Sequence, residues 1–85
     1  MTPRFAPGVR LHHDQARARW IVMAPERMFI PDDIALEVLR LVDGARDEIA
    51  IVTALAEKFA APTSVIAADV RTMLDDLVNR GAITP

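Results

Sequence analysis

Residues 19–44, RWIVMAPERMFIPDDIALEVLRLVDG, hold two short extended runs and a capped helix. Trp20-Ile21-Val22-Met23-Ala24 is apolar on both faces, β-branched and aromatic, and stops at Pro25, whose fixed φ suits the second position of a turn. A strand is expected there, and another over Met28-Phe29-Ile30, closed by Pro31. Asp32 or Asp33 then caps a helix with Ile34, Val38, Leu41 and Val42 on one face and Leu39 widening it, and Asp43-Gly44 ends it. This order leaves Met28 to Ile30 at a sheet edge, where backbone donors and acceptors can pair with an extended peptide without any catalytic residue.

Working outward, Pro3, Pro7 and Gly8 make residues 1–8 an irregular arm, with Phe5 as its anchor. Val9, Leu11 and His13 alternate with Arg10, His12 and Asp14 at the period of a half-buried strand. Beyond Gly44, Asp47 caps a second helix with Ile49, Val52, Leu55, Ala56 and Phe59 inward, and Ala60-Ala61-Pro62 marks its exit. Thr63 or Ser64 opens a third helix, in which Ile66, Val70, Met73, Leu74 and Leu77 share an arc of roughly 100°. Gly81 closes it, and Ala82-Ile83 trails away. The expected fold is α+β, one winged helix-turn-helix-like domain: three short antiparallel strands over residues 9–30, then three α-helices over 32–81.

Eighty-five residues suffice for one domain that buries about 60 to 65% of its unfolded surface. A chain 52% hydrophobic and 26% charged fits a globular domain rather than a disordered one. Without cysteine there is no disulfide framework, thiolate zinc site or cysteine nucleophile, and the expected compartment is the reducing cytoplasm. The first residues lack the apolar run of a secretion signal, and nothing approaches the roughly 18 apolar residues of a membrane span. Up to Pro31 five arginines face two acids, whereas from Asp32 onward ten acids face five bases. Such asymmetry can orient a charged partner, and a solvated surface accounts for it equally well.

Residues able to carry chemistry are few. Ser64 and Thr63 serve better as helix caps than as nucleophiles, and His12 and His13 point to opposite faces of a strand, which spoils them as a chelating pair. Asp75-Asp76 and Asp32-Asp33 diverge by about 100° as helix neighbours and suit helix starts and solvated faces. Gly8, Gly44 and Gly81 stand far apart, so no phosphate-binding loop exists. Catalysis, a cofactor and a metal are therefore not expected. A winged helix invites DNA binding through the third helix, but Ser64 to Arg80 carries two arginines against Asp69, Asp75 and Asp76, which repels a polyanion. What remains is peptide recognition at the edge formed by Met28, Phe29 and Ile30, with Val70, Met73, Leu74 or Leu77 as the opposite wall. A homodimer paired through the same edge is the structural alternative.

Taken in order, Pro25-Glu26, Ile30 leading into Ile34-Ala35-Leu36-Glu37-Val38-Leu39, Asp43-Gly44, Glu48-Ile49, Leu55 with Phe59, Asp69-Val70, Leu74 with Leu77 and Arg80-Gly81 closely resemble the pyrroloquinoline quinone biosynthesis protein D (PqqD) family. The resemblance spans nearly the whole chain. It implies a non-catalytic peptide chaperone, a recognition element that holds the leader of a ribosomally made precursor peptide. It also implies presentation of that peptide to a radical S-adenosylmethionine enzyme, which crosslinks its glutamate and tyrosine. Carried over, Met28, Phe29 and Ile30 would pair with the peptide, and Asp69, Val70, Met73, Leu74 and Leu77 would line or flank the helix side. Three positions depart from the family pattern: Arg27 where a glycine often follows Pro-Glu, Pro31 for asparagine, and Ala82 for tryptophan. Pro31 should end strand pairing, and Ala82 should leave the tail less firmly packed.

Overall fold

The computed structural model describes residues 1–85, in the order β1 (Arg4–Phe5), β2 (Arg10–Asp14), β3 (Arg19–Met23), β4 (Met28–Phe29), α1 (Asp33–Leu39), α2 (Glu48–Phe59), α3 (Thr63–Asn79) and β5 (Ile83–Thr84). Antiparallel strands β2, β3 and β4 form one sheet in that spatial order, and β1 pairs with β5 in a second. With three helices after the main sheet, the fold is α+β, as the sequence implies.

Turn chemistry sets the register of the main sheet. Asp14 accepts a bond from the Arg17 amide (3.3 Å), and Ala18 takes a left-handed φ of 51°, so the chain reverses and Leu11 faces Val22 while His13 faces Trp20. The Ala24 amide donates to the Arg27 carbonyl (2.9 Å) across Pro25-Glu26, placing Phe29 opposite Val22 and Met28 opposite Met23. Side chains alternate across the sheet. His13 therefore meets Trp20 in a tilted contact (4.8 Å between ring centroids, 43° between planes), while His12 lies on the other face. β4 ends at Phe29, one residue short of the expected Ile30.

Two of the three helices start where an aspartate side chain can satisfy a free amide. Asp32 and Asp47 accept from Ala35 N–H and Ala50 N–H, both at 2.8 Å, and cap α1 and α2. Neither Thr63 nor Ser64 caps α3; the position belongs to Pro62, which has no capping side chain. α1 stops at Leu39 rather than at Asp43-Gly44. The next residues continue as a tight turn, Leu41 N–H to Val38 (3.0 Å) and Val42 N–H to Leu39 (3.2 Å), which still delivers Val42 to the core.

The core combines Val22 from the sheet with Val38, Leu39 and Val42, Ile51, Val52 and Leu55, and Val70, Leu74 and Leu77. Three residues expected inside are outside: Ile34, Ile49 and Phe59 are 63%, 75% and 52% exposed. In α2 the buried stripe is Ile51, Val52, Leu55 and Ala56, because apolar residues at 49, 51 and 52 offer two faces and the one meeting α3 wins.

Both chain ends also differ from the expectation. The arm is not irregular throughout: Arg4 pairs with Thr84 and Phe5 with Ile83, and the Ala6 amide donates to the Ala82 carbonyl (3.0 Å). Nor does the tail trail away, since Ala82 and Ile83 are both buried in the core cluster. Ala82 is 2% exposed and bonded to the arm through its carbonyl, so the segment expected to be loosely packed is covered.

Candidate functional site

β4 is the last strand of its sheet, only two residues long, with β3 on one side and no strand on the other. Such a margin leaves backbone groups free for another chain. Against it runs α3. Phe29, Ile30 and Pro31, the start of α1 at Asp32 and Ala35, and Met73, Asp76, Leu77 and Arg80 enclose a groove of about 140 Å³. Its α3 wall arises from spacing alone, because residues 73, 76, 77 and 80 recur every three or four positions and share one face.

Alternation in β4 separates two of the expected contacts. Phe29 turns toward the helices and packs against the core, whereas Met28 turns to the outer sheet face beside Met23, Ile21, Arg10 and Arg19. Ile30, just past the strand, is half exposed at the groove mouth. On α3, Met73 is partly buried, and Leu77 is buried as the groove floor. Asp69 and Val70 belong to a second, larger cavity of about 470 Å³, formed with Ile34 and Val38 of α1, Leu55 and Phe59 of α2, and Ile66. Leu74 lines neither cavity and has 0% exposure, so it supports α3 from behind.

The sequence shows Arg80 only as one of the two arginines of the third helix, yet it borders the groove. Its guanidinium lies 5.3 Å from the Phe29 ring centroid, and its Nε donates to Asp76 (2.9 Å). The signal was present in the numbering, since Arg80 follows Leu77 by three and Met73 by seven. Pro31 and Ala35 were likewise not anticipated as lining.

Charge is unevenly distributed around these features. The larger cavity takes its polar lining from Asp33, Glu37, Asp69 and Arg40, with Arg40 drawn over the Trp20 ring (5.3 Å) and Glu37 bonded to Lys58 (2.6 Å). Two carboxylates with depressed pKa values lie outside the groove. At Asp14, burial raises the pKa, but hydrogen bonds and charge from Arg17, with Arg19, outweigh it. At Asp43, amide bonds from Arg46 and Ala45 hold the carboxylate below its ordinary value, with the Arg46 charge adding to them. No three His, Cys, Asp or Glu residues come together as metal ligands, and no helix is long and apolar enough to cross a membrane.

Comparison with known proteins agrees with this architecture. Over 84 residues the chain is 49% identical to the PqqA binding protein of Rhodopseudomonas palustris strain HaA2, covering 99% of this chain and 79% of the relative. The solution NMR structure of the PqqD truncation of Methylobacterium extorquens PqqCD superposes with a TM-score of 0.79 at 37% identity. That likeness covers 98% of this chain and 88% of the other, described as a functional and stand-alone recognition element for ribosomally synthesized and post-translationally modified peptides. Lasso peptide synthetase B1, solved with its leader peptide, matches over 100% of both chains with a TM-score of 0.78, and at 17% identity this speaks for the fold alone. The family model for coenzyme PQQ synthesis protein D (PqqD) matches residues 19–83, so the chain belongs to the PqqD family.

Proposed function

We propose that this chain is a non-catalytic chaperone in pyrroloquinoline quinone biosynthesis that binds the ribosomal precursor peptide as an added strand on β4. The observation that carries this reading is an open strand margin directly beside a groove against α3, in which Phe29, Ile30, Met73 and Leu77 stand next to Asp32, Asp76 and Arg80. Backbone bonds at Met28 to Ile30 supply affinity, and alternate guest side chains enter between Phe29, Ile30, Met73 and Leu77. Asp69 and Val70 extend the contact along the same face of α3, and Leu74 holds that face in place. The relatives' description as PqqA binding proteins supports a peptide guest.

Ordering a disordered guest costs free energy, about 2–5 kcal/mol in coupled folding and binding, so the groove must contribute more than backbone pairing alone. Held in extended form, the precursor is delivered to a radical S-adenosylmethionine enzyme in the cytoplasm. This protein contributes geometry and the enzyme contributes chemistry. Titration of isotope-labelled protein with the precursor peptide tests the site: amide shifts are expected at residues 28–30 and along residues 69–77. Shifts confined to other surfaces would reject the edge as the binding site.

A further inference from the structure

We infer that Arg80 determines the specificity of the β4–α3 groove by taking a carboxylate side chain of the guest, an inference that rests on the peptide-binding reading above. The guanidinium is fixed in two ways. Its central carbon lies over the Phe29 ring, 5.3 Å from the centroid, and Asp76 holds its Nε at 2.9 Å. Both contacts leave the Nη edge free: neither Nη group donates a hydrogen bond, and the side chain is 53% exposed. A planar guanidinium positioned over a ring, with its Nη groups unused, offers the fork of donors that a carboxylate accepts.

Surrounding charges favour the same ligand. Arg27 lies next to Gly81, the residue after Arg80, but in a separate depression with Pro7, Val9, Pro25 and Glu26, so Arg80 is the one cation lining the groove. The two acids of the groove are already engaged, Asp76 with Arg80 and Asp32 in capping Ala35. A cationic guest side chain at this end would meet the Arg80 guanidinium and carboxylates already bonded elsewhere. An acidic one would find free donors, and a charge-assisted bond to them is stronger than one between neutral groups. The groove thus selects an extended peptide with an acidic residue opposite Phe29 and apolar residues toward Met73.

Isothermal calorimetry with the precursor peptide and a set in which each Asp or Glu is singly exchanged for its amide provides the test. One amide peptide is expected to bind wild-type protein about tenfold more weakly, the scale of a charge-assisted bond. Arg80→Gln should weaken the unaltered peptide by a similar factor and show no further loss with that amide peptide, while Arg80→Lys should restore part of the affinity. Equal binding of all amide peptides to wild-type protein would overturn the inference. So would an amide loss that persists undiminished in Arg80→Gln. These exchanges on the peptide leave the protein's folding untouched. Failure of the unaltered precursor to bind wild-type protein would overturn the peptide-binding reading and this inference together, whereas normal binding without coupling would remove Arg80 alone.

Discussion

Phe5 stands opposite Ile83 in the β1–β5 ladder, so the first and last strands close over the C-terminal end of α3. Ile83 is 2% exposed and belongs to the core despite lying two residues before the last position. Truncating it to alanine should cost about 2–5 kcal/mol, as for other fully buried aliphatic side chains. Urea unfolding followed by circular dichroism reads this directly, and a loss below about 0.5 kcal/mol would mean that the tail contributes little to the fold.

Binding and stability should separate between Ile30 and Leu74. Ile30 is half exposed at the groove mouth, so Ile30→Asp is expected to change the unfolding midpoint little while weakening precursor binding at least about tenfold, because a charge enters an apolar contact. Leu74→Ala removes a side chain with 0% exposure and should destabilise by about 2–5 kcal/mol. Calorimetry and chemical denaturation on both variants check the pair, and a reversed pattern would move the binding surface away from β4.

The main sheet, the three helices and the edge position of residues 28–30 were legible in the sequence because each carries a strong local signal. Pro25 and Pro31 bracket the edge strand, Asp32 and Asp47 begin their helices, and Val70, Leu74 and Leu77 recur at helical spacing. What escaped lacked such a signal. β1 and β5 have two residues each, too few to show a period, and exist because Phe5 and Ile83 meet across the whole chain. In α2, Ile49 and Ile51 compete for the core, and only contact with α3 decides for Ile51. Arg80 was visible as a charge but not as a groove residue, since its role depends on Phe29, 51 positions earlier in the numbering. The assignment of Asp69 and Val70 to a different cavity from Met73 depends on where α1 rests on α3, which periodicity does not encode.

Acid should weaken the connection between α1 and α2 through Asp43. The folded protein lowers this carboxylate's pKa, with the Arg46 and Ala45 amides as the main donors, so folding favours the charged form. Its stabilising contribution is therefore fully present above the unfolded carboxylate range of about 3.9 and is lost as pH falls through the lower folded value. Asp43→Asn should flatten that acid limb relative to wild type while changing stability at pH 7 less than at an interior site. Thermal melting between pH 2 and pH 7 tests this, and an unchanged acid limb would remove Asp43 as a contributor.

The open margin of β4 raises the question of self-pairing, and local features oppose it. An edge of two residues offers few ladder bonds, and Pro31 supplies no donor beyond it. Isolated pairing of such short strands is marginal in water. A guest peptide gains in addition the apolar contacts with Met73 and Leu77, which a second copy reaches only if its own residues enter the groove. Light scattering across roughly 10–500 µM should therefore give the mass of one 9.4 kDa chain throughout, and the mass of a one-to-one complex once precursor is added. A dimer that persists on dilution and resists the peptide would assign this edge to homodimerisation instead. A dimer dissolved by the peptide would show both using the same backbone groups.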